Sequence, residues 1–508
     1  MRKPFYLALM ASIAMTGLTA LPASAQDGGT VLNIGLQDDP DTLDPATNWS
    51  FVGRHVLQQM CDKIVDINGN NEIVPMLATD WTWNEDSTQL TLNVREDATF
   101  HDGTPVNAEA IKYNLDRALT LEISRRASEI SAIESVEVVD EFTVQINLSE
   151  PSVPLLAALT DRAGMIISPA AGEELGEDFT NDPVCSGPYE FVERVAQDYI
   201  ELEKFDDYYA ADDYAFDRLI FRGMPDSNTR LLNLRSGQFD LIERLAATDV
   251  ASVDDDPALE TAPVVGLGYY GITIDIGGEG ADPDFSQQQA VREAFSLAID
   301  REAINQVVFE GQFAVGNQPF PPTSPYYNQD MPVQPRDVEA ARALMEEAGI
   351  DQIDLELLVP TDAERQQVAT LIQSMVAEIG INVEIRPTEL MTLLDTAREG
   401  NFEAHLVGWS GRVDPDLNIT PMLSCGAAGN DAHYCSEELD TILTEARAVG
   451  DVATRQEKYS EAVDLLLTDL PIVYLYHSQW IFAHDAALEG FDPFPDGIIR
   501  LGGVTMTE

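Results

Sequence analysis

Residues 99–119 read TFHDGTPVNAEAIKYNLDRAL. A His beside an Asp, followed by Gly-Thr-Pro, has the look of a catalytic fragment. The surrounding residues give each member a structural job instead. The preceding STQLTLNVRED, residues 87–97, alternates Leu90, Leu92 and Val94 with Thr91, Asn93 and Arg95, the period of a half-buried strand. Asp102-Gly103 is a turn dipeptide, and Pro105 cannot continue a strand ladder. Asn107 fits a helix N-cap, Glu109 suits the first turn, and Ile111, Leu115 and Leu119 form one apolar stripe. Neighbours at a strand end point apart, so His101 and Asp102 are not a dyad by adjacency. The stretch predicts strand, turn and helix.

Outward from it, further strands are predicted at 136–139, 143–148, 189–193, 199–203, 219–224 and 268–276, with a helix near 228–235. The second half is richer in helices, at 289–299, 337–348, 363–379, 390–398, 439–448 and 454–467. Residues 351–409 run strand, helix, strand, helix, strand, the pattern of an α/β lobe with right-handed crossovers where strands are parallel. A strand returns near residue 472. The chain is therefore expected to form two α/β bodies, with crossings near 272–276 and 475–486. Two crossings make a hinge, and the cleft between the bodies is a natural ligand site.

A length of 508 residues with 44% hydrophobic content exceeds one ordinary domain. Arg2 and Lys3, the apolar residues 5–21 and Ala23-Ser24-Ala25 read as a secretory leader cut after Ala25. With no cysteine near the cut, an exported, soluble, periplasmic protein without a lipid anchor is expected. The formal charge is −59, from 88 acidic and 29 basic residues, which argues against nucleic acid as partner. Such acidity suits a heavily solvated surface. Cys425 and Cys435 flank a short Gly/Ala/Asn loop and are placed for a disulfide, leaving Cys61 and Cys185 to pair across a longer loop. Three connectivities remain open on sequence grounds.

No His-Glu-x-x-His motif, phosphate loop or dinucleotide fingerprint occurs. Gly408-Trp409-Ser410-Gly411-Arg412 is not a nucleophile elbow, because Arg412 stands where the last glycine belongs. The six histidines are scattered. No catalytic residue, metal ligand or cofactor is expected.

The segment LATDWTWNEDSTQLTLNVREDATFHDGTPVNAEAIKYNLDRA, residues 77–118, resembles the signature of family 5 solute-binding proteins. These are the dipeptide, oligopeptide and nickel-type receptors of ABC importers. The resemblance continues through SGPYEF (186–191), VREAFSLAIDREAI (291–304), DVEAARALMEEAG (337–349), GWSGRVDPD (408–416) and YCSEELD (434–440). It implies a bilobal α/β periplasmic-binding-protein fold of type II with an extra subdomain inserted in lobe 1. Lobe 1 would use 26–75, 185–275 and 486–508, the insertion 76–184 and lobe 2 276–485. A monomeric receptor would enclose a peptide or peptide-like solute and deliver it to inner-membrane permease subunits with their ATPases. Non-peptide solutes remain alternatives (glutathione-like, glycoside, opine or metal chelate), and a secreted hydrolase is a further one.

The peptide receptors carry an acid soon after the Gly-Trp strand end, where it holds the peptide ammonium. Here that position is Arg412, so capture of a carboxylate is expected in its place. Asp414 or Asp416 could serve as an amine anchor by a shifted loop, or pair with Arg412. The cleft-lining loop implied at residues 45–51 offers Asn48 and Trp49. Trp409 ends a strand, one of Tyr269 and Tyr270 should face the cleft, and Arg126 could meet a carboxylate.

Overall fold

The computed structural model describes residues 29–278 and 283–507. The expected leader, residues 1–25, lies outside the described residues. Asp102 closes the turn in the opening stretch: its Oδ1 accepts the Thr104 N–H at 2.9 Å and the Thr104 hydroxyl at 2.5 Å. Gly103 takes φ +78°, a conformation glycine adopts without strain. Asn107 caps the helix Ala108–Thr120 by accepting the Ala110 N–H at 3.0 Å. The Ser168 hydroxyl donates to Asp102 Oδ2 at 2.5 Å, and His101 Nε2 lies 3.0 Å from the Gly187 carbonyl. Burial lowers the His101 pKa to about 4, so a neutral ring donates that bond. His101 stitches the inserted subdomain to the segment leading into Tyr189–Val195, and Asp102 ties the turn to Ser168 within the subdomain.

The helix Ala108–Thr120 packs on a four-stranded antiparallel sheet in the order Ala78–Trp83, Gln89–Val94, Thr143–Leu148, Ile133–Asp140. Leu92 stands opposite Val144 and Leu90 opposite Ile146, and these join Ile111 and Leu115 in one core.

Two larger sheets form the lobes. The first has seven strands in the order Leu259–Val265, Gln479–Asp485, Leu241–Ile242, Val31–Leu36, Arg218–Gly223, Tyr199–Lys204, Tyr189–Val195. The second has six, Ala314–Val315, Ile472–His477, Tyr269–Ile274, Ala404–Trp409, Ile353–Pro360, Ile381–Thr388. Ile353–Pro360 is parallel to both neighbours, with Ala363–Val376 and Leu390–Arg398 as crossover helices. The fold is the bilobal α/β architecture with an inserted subdomain.

Strand pairing corrects two expected lobe limits. Tyr269–Ile274 hydrogen-bonds Ala404–Trp409 and Ile472–His477, so it belongs to lobe 2 and the first crossing is at 266–268. Gln479–Asp485 pairs with Leu259–Val265 in lobe 1, so the return crossing is at Ser478. Buried apolar runs announce a strand but not the sheet that receives it. At the first crossing, a Cβ on Gly268 would fall 1.7 Å from the Trp409 carbonyl oxygen. Only glycine lets the crossing run this close to the end of the Trp409 strand.

Disulfides join Cys61 to Cys185 and Cys425 to Cys435. Among the described residues, no helix is long and apolar enough to cross a membrane.

Candidate functional site

Three elements bring charge together between the lobes. Ser50 caps the helix Phe51–Met60 by accepting the Gly53 N–H, and the buried face of that helix carries Arg54. In the inserted subdomain, the apolar run LLAALTDRAGMII (155–167) carries Asp161 and Arg162 into the interior. From lobe 2, the strand Ala404–Trp409 delivers a loop bearing Arg412.

Asp161 is the hub. Arg54 Nε and Nη2 reach its two oxygens at 3.1 and 3.0 Å, and the Arg162 backbone N–H donates at 2.8 Å. Arg412 Nε stands 3.6 Å away, from the other lobe. Burial alone would raise the Asp161 pKa. Arg54, Arg162, Arg412 and Arg126 outweigh it and hold the carboxyl well below the ordinary range. Burial and then Arg126 bring Arg162 down to about 9. The only carboxylates in ion-pair contact with these four guanidinium groups, among the described residues, are Asp161 and Glu129. A cationic centre thus sits inside a chain of formal charge −59.

Arg412 is only half used. Its Nη1 donates to the Gly411 carbonyl at 2.8 Å and the Ser410 hydroxyl at 3.3 Å, and its guanidinium lies 4.6 Å from the Trp409 ring centre. Its other edge, Nε and Nη2, stands 3.6 Å from Asp161 and 3.8 Å from Glu129. Neither contact is a hydrogen bond, and no other described residue accepts from that edge. Asn418 Oδ1 fixes this loop by accepting the Trp409 indole N–H at 2.9 Å and the Arg412 N–H at 2.7 Å.

The remaining expected residues divide into framework and cleft. Asn48 is fully buried; its amide donates to Asp41 at 2.5 Å and its Oδ1 accepts from Arg162 at 2.9 Å. Arg126 ion-pairs with Glu129 at 2.5 Å and donates to the Asn48 carbonyl at 3.3 Å. Both hold the 45–50 loop. Asp414 is corrected as an amine anchor: Arg455 takes its two oxygens at 2.7 and 2.8 Å in a buried pair. Asp416 is buried, 3.5 Å from Arg447, so Arg412 pairs with neither acid of its own loop. Tyr269 is a core residue, edge-on to Tyr474, whereas the half-buried Tyr270 accepts from Arg365 at 3.1 Å. Trp49 is 43% exposed, with Arg125 of the insertion 5.4 Å and Arg398 of lobe 2 5.6 Å from its ring centre.

A model of the bacterial extracellular solute-binding proteins, family 5 Middle, matches residues 72–430. The chain belongs to that family. This solute-binding protein is 27% identical over 488 residues to the glutathione-binding protein GsiB of Pectobacterium atrosepticum, covering 92% of each chain. It resembles the solved structure of AgaA from A. tumefaciens R10 in complex with agropinic acid, with TM-score 0.81 and 27% identity over 94% of this chain and 99% of that one. A periplasmic binding protein DppA from Helicobacter pylori, in complex with the peptide STSA, shares the fold at TM-score 0.83 and 24% identity over 94% and 98% of the two chains. The protein is a substrate-binding receptor of an ABC importer and not an enzyme.

Sequence reasoning singled out Arg412 of this receptor but not, Arg126 apart, the charged residues around it. Arg54, Asp161 and Arg162 converge only through the fold, although charges inside the run 155–167 were a visible sign of a buried pair. A second meeting of the lobes was also missed, where Arg365 ion-pairs with Asp362 at 2.8 Å and Arg244 lies 3.6 Å from Glu243. Arg365 from lobe 2 and Arg244 from lobe 1 both bear on Tyr270, and after burial their charges are what depress its pKa. Arg244 rests on Phe51 and Trp480, 5.2 and 4.8 Å from their ring centres.

Proposed function

We propose that this receptor captures a peptide-like solute bearing carboxylates, closes its lobes around it and hands it to an inner-membrane permease driven by ATPase subunits. It works in the periplasm as a monomer, a state its high net charge favours. The observation that carries the ligand class is the Nε–Nη2 edge of Arg412, which makes no hydrogen bond and faces Asp161 and Glu129 beside three further arginines, Arg54, Arg126 and Arg162. That edge matches the geometry of a carboxylate. Glutathione and agropinic acid, named for the relatives, are both carboxylic acids and fit this chemistry.

Mass spectrometry of solutes co-purified with the protein identifies the ligand class. Calorimetry with glutathione, its amidated form and its N-acetylated form tests the anchor. Amidation should weaken binding strongly and acetylation should not. Loss of binding on acetylation, with amidation harmless, would overturn the anionic reading.

A further inference from the structure

Glu129 is ion-paired to Arg126 at the start of its own turn and also approaches Arg412 of the opposite lobe. It belongs to the short 3-10 turn Ala127–Ile130, and its carboxylate reaches out between two cations from opposite sides of the cleft. One oxygen, Oε1, is 2.5 Å from Arg126 Nη1 and 3.8 Å from Arg412 Nη2. Its side chain is only 21% exposed. The Arg412 edge it approaches is the one that makes no hydrogen bond.

From this juxtaposition we infer that Glu129 is a built-in stand-in for the ligand's carboxylate, holding Arg412 across the cleft until an anionic solute displaces it. The inference rests on the anionic-solute reading. A solute carboxylate that forms two parallel hydrogen bonds to Arg412 replaces a contact too long to be one. It also stands beside Glu129, and like charges at that spacing repel. Glu129 therefore sets a threshold. A solute must offer a well-aligned carboxylate to displace it, and neutral solutes gain nothing from doing so. Asp161 is held from its own side of the cleft by both Arg54 and the Arg162 N–H, whereas Glu129 has Arg126 alone.

Glu129→Gln tests this, since it keeps the size and removes the charge. Two measurements are made on the full protein. In hydrogen exchange without ligand, the variant should exchange faster in residues 410–418, which lie far from residue 129 in sequence and across the cleft from it. In calorimetry with glutathione as probe, it should bind at least roughly fivefold more tightly than the wild type. Unchanged exchange in 410–418 overturns the latch whether or not glutathione binds. Faster exchange supports it, even where glutathione binds neither form; that second result counts against the solute reading alone. Weaker glutathione binding by the variant overturns the stand-in role.

Discussion

Arg455 and Arg412 both face an aspartate in the interior, and the two encounters are built in opposite ways. Arg455 grips Asp414 through two hydrogen bonds at 2.7 and 2.8 Å, with both side chains less than a tenth exposed. Arg412 holds Asp161 and Glu129 at 3.6 and 3.8 Å, and one edge of its fork carries no hydrogen bond. The first pair lies within lobe 2, and both carboxylate oxygens are taken. The second spans the cleft and leaves donors over. Within one chain, the closed pair is architecture and the open one is where we propose recognition; the distances, not the residue types, tell them apart.

Breaking the closed pair should have the largest effect. Asp414→Ala strands the Arg455 charge in a buried site, and urea denaturation should show a loss of about 3–5 kcal/mol. A loss within about 1 kcal/mol, the value of an exposed pair, would erase the contrast.

Asp62 sharpens the comparison as a third kind of buried acid. A tyrosine hydroxyl, Tyr208, donates to it at 3.1 Å in place of a guanidinium. Burial raises its pKa to about 7 from 3.8, against the smaller opposing pull of Tyr209, Tyr208 and Arg95. Between those values the folded protein holds the proton more tightly than the unfolded chain. Its contribution to stability is therefore full below about pH 4 and is lost as pH rises toward 7, by roughly 1.4 kcal/mol per unit. Asp161, whose pKa is depressed, titrates below this window. Denaturation midpoints of the wild type and Asp62→Asn, followed from pH 4 to pH 7, should lie closest at the acid end and separate toward pH 7, because only the wild type loses stability along the Asp62-dependent slope. Parallel profiles would contradict it.

The smallest effect is expected at Trp49, whose exposed ring meets Arg398 across the cleft without any ion pair. Trp49→Leu should weaken solute binding by about 0.5–1 kcal/mol, the range of an exposed cation–π contact. A larger loss in calorimetry would make the aromatic contact, and not the charge cluster, the principal anchor.

Much of the fold was legible because its signals are local. The His101-Asp102 turn follows from Gly103, Pro105 and Asn107, and the strand 404–409 from its place at the end of the strand-helix run 351–409. The site was legible only where one residue broke a pattern, as Arg412 does at the Gly-Trp strand end. Its partners come from residues 54, 129, 161 and 162, and no periodicity links these positions. The limits of the lobes failed for the same reason. The strand 269–274 is apolar on both faces, and only pairing with 404–409 and 472–477 assigns it to a sheet.

The central claim is that the free edge of Arg412 takes a ligand carboxylate. A double-mutant cycle tests it most directly, with wild type and Arg412→Ala each titrated by calorimetry against glutathione and its amidated form. Arg412→Ala should lose about 2–5 kcal/mol of affinity for glutathione. The two proteins should bind the amidated form alike. Equal binding of both forms by both proteins would contradict the account.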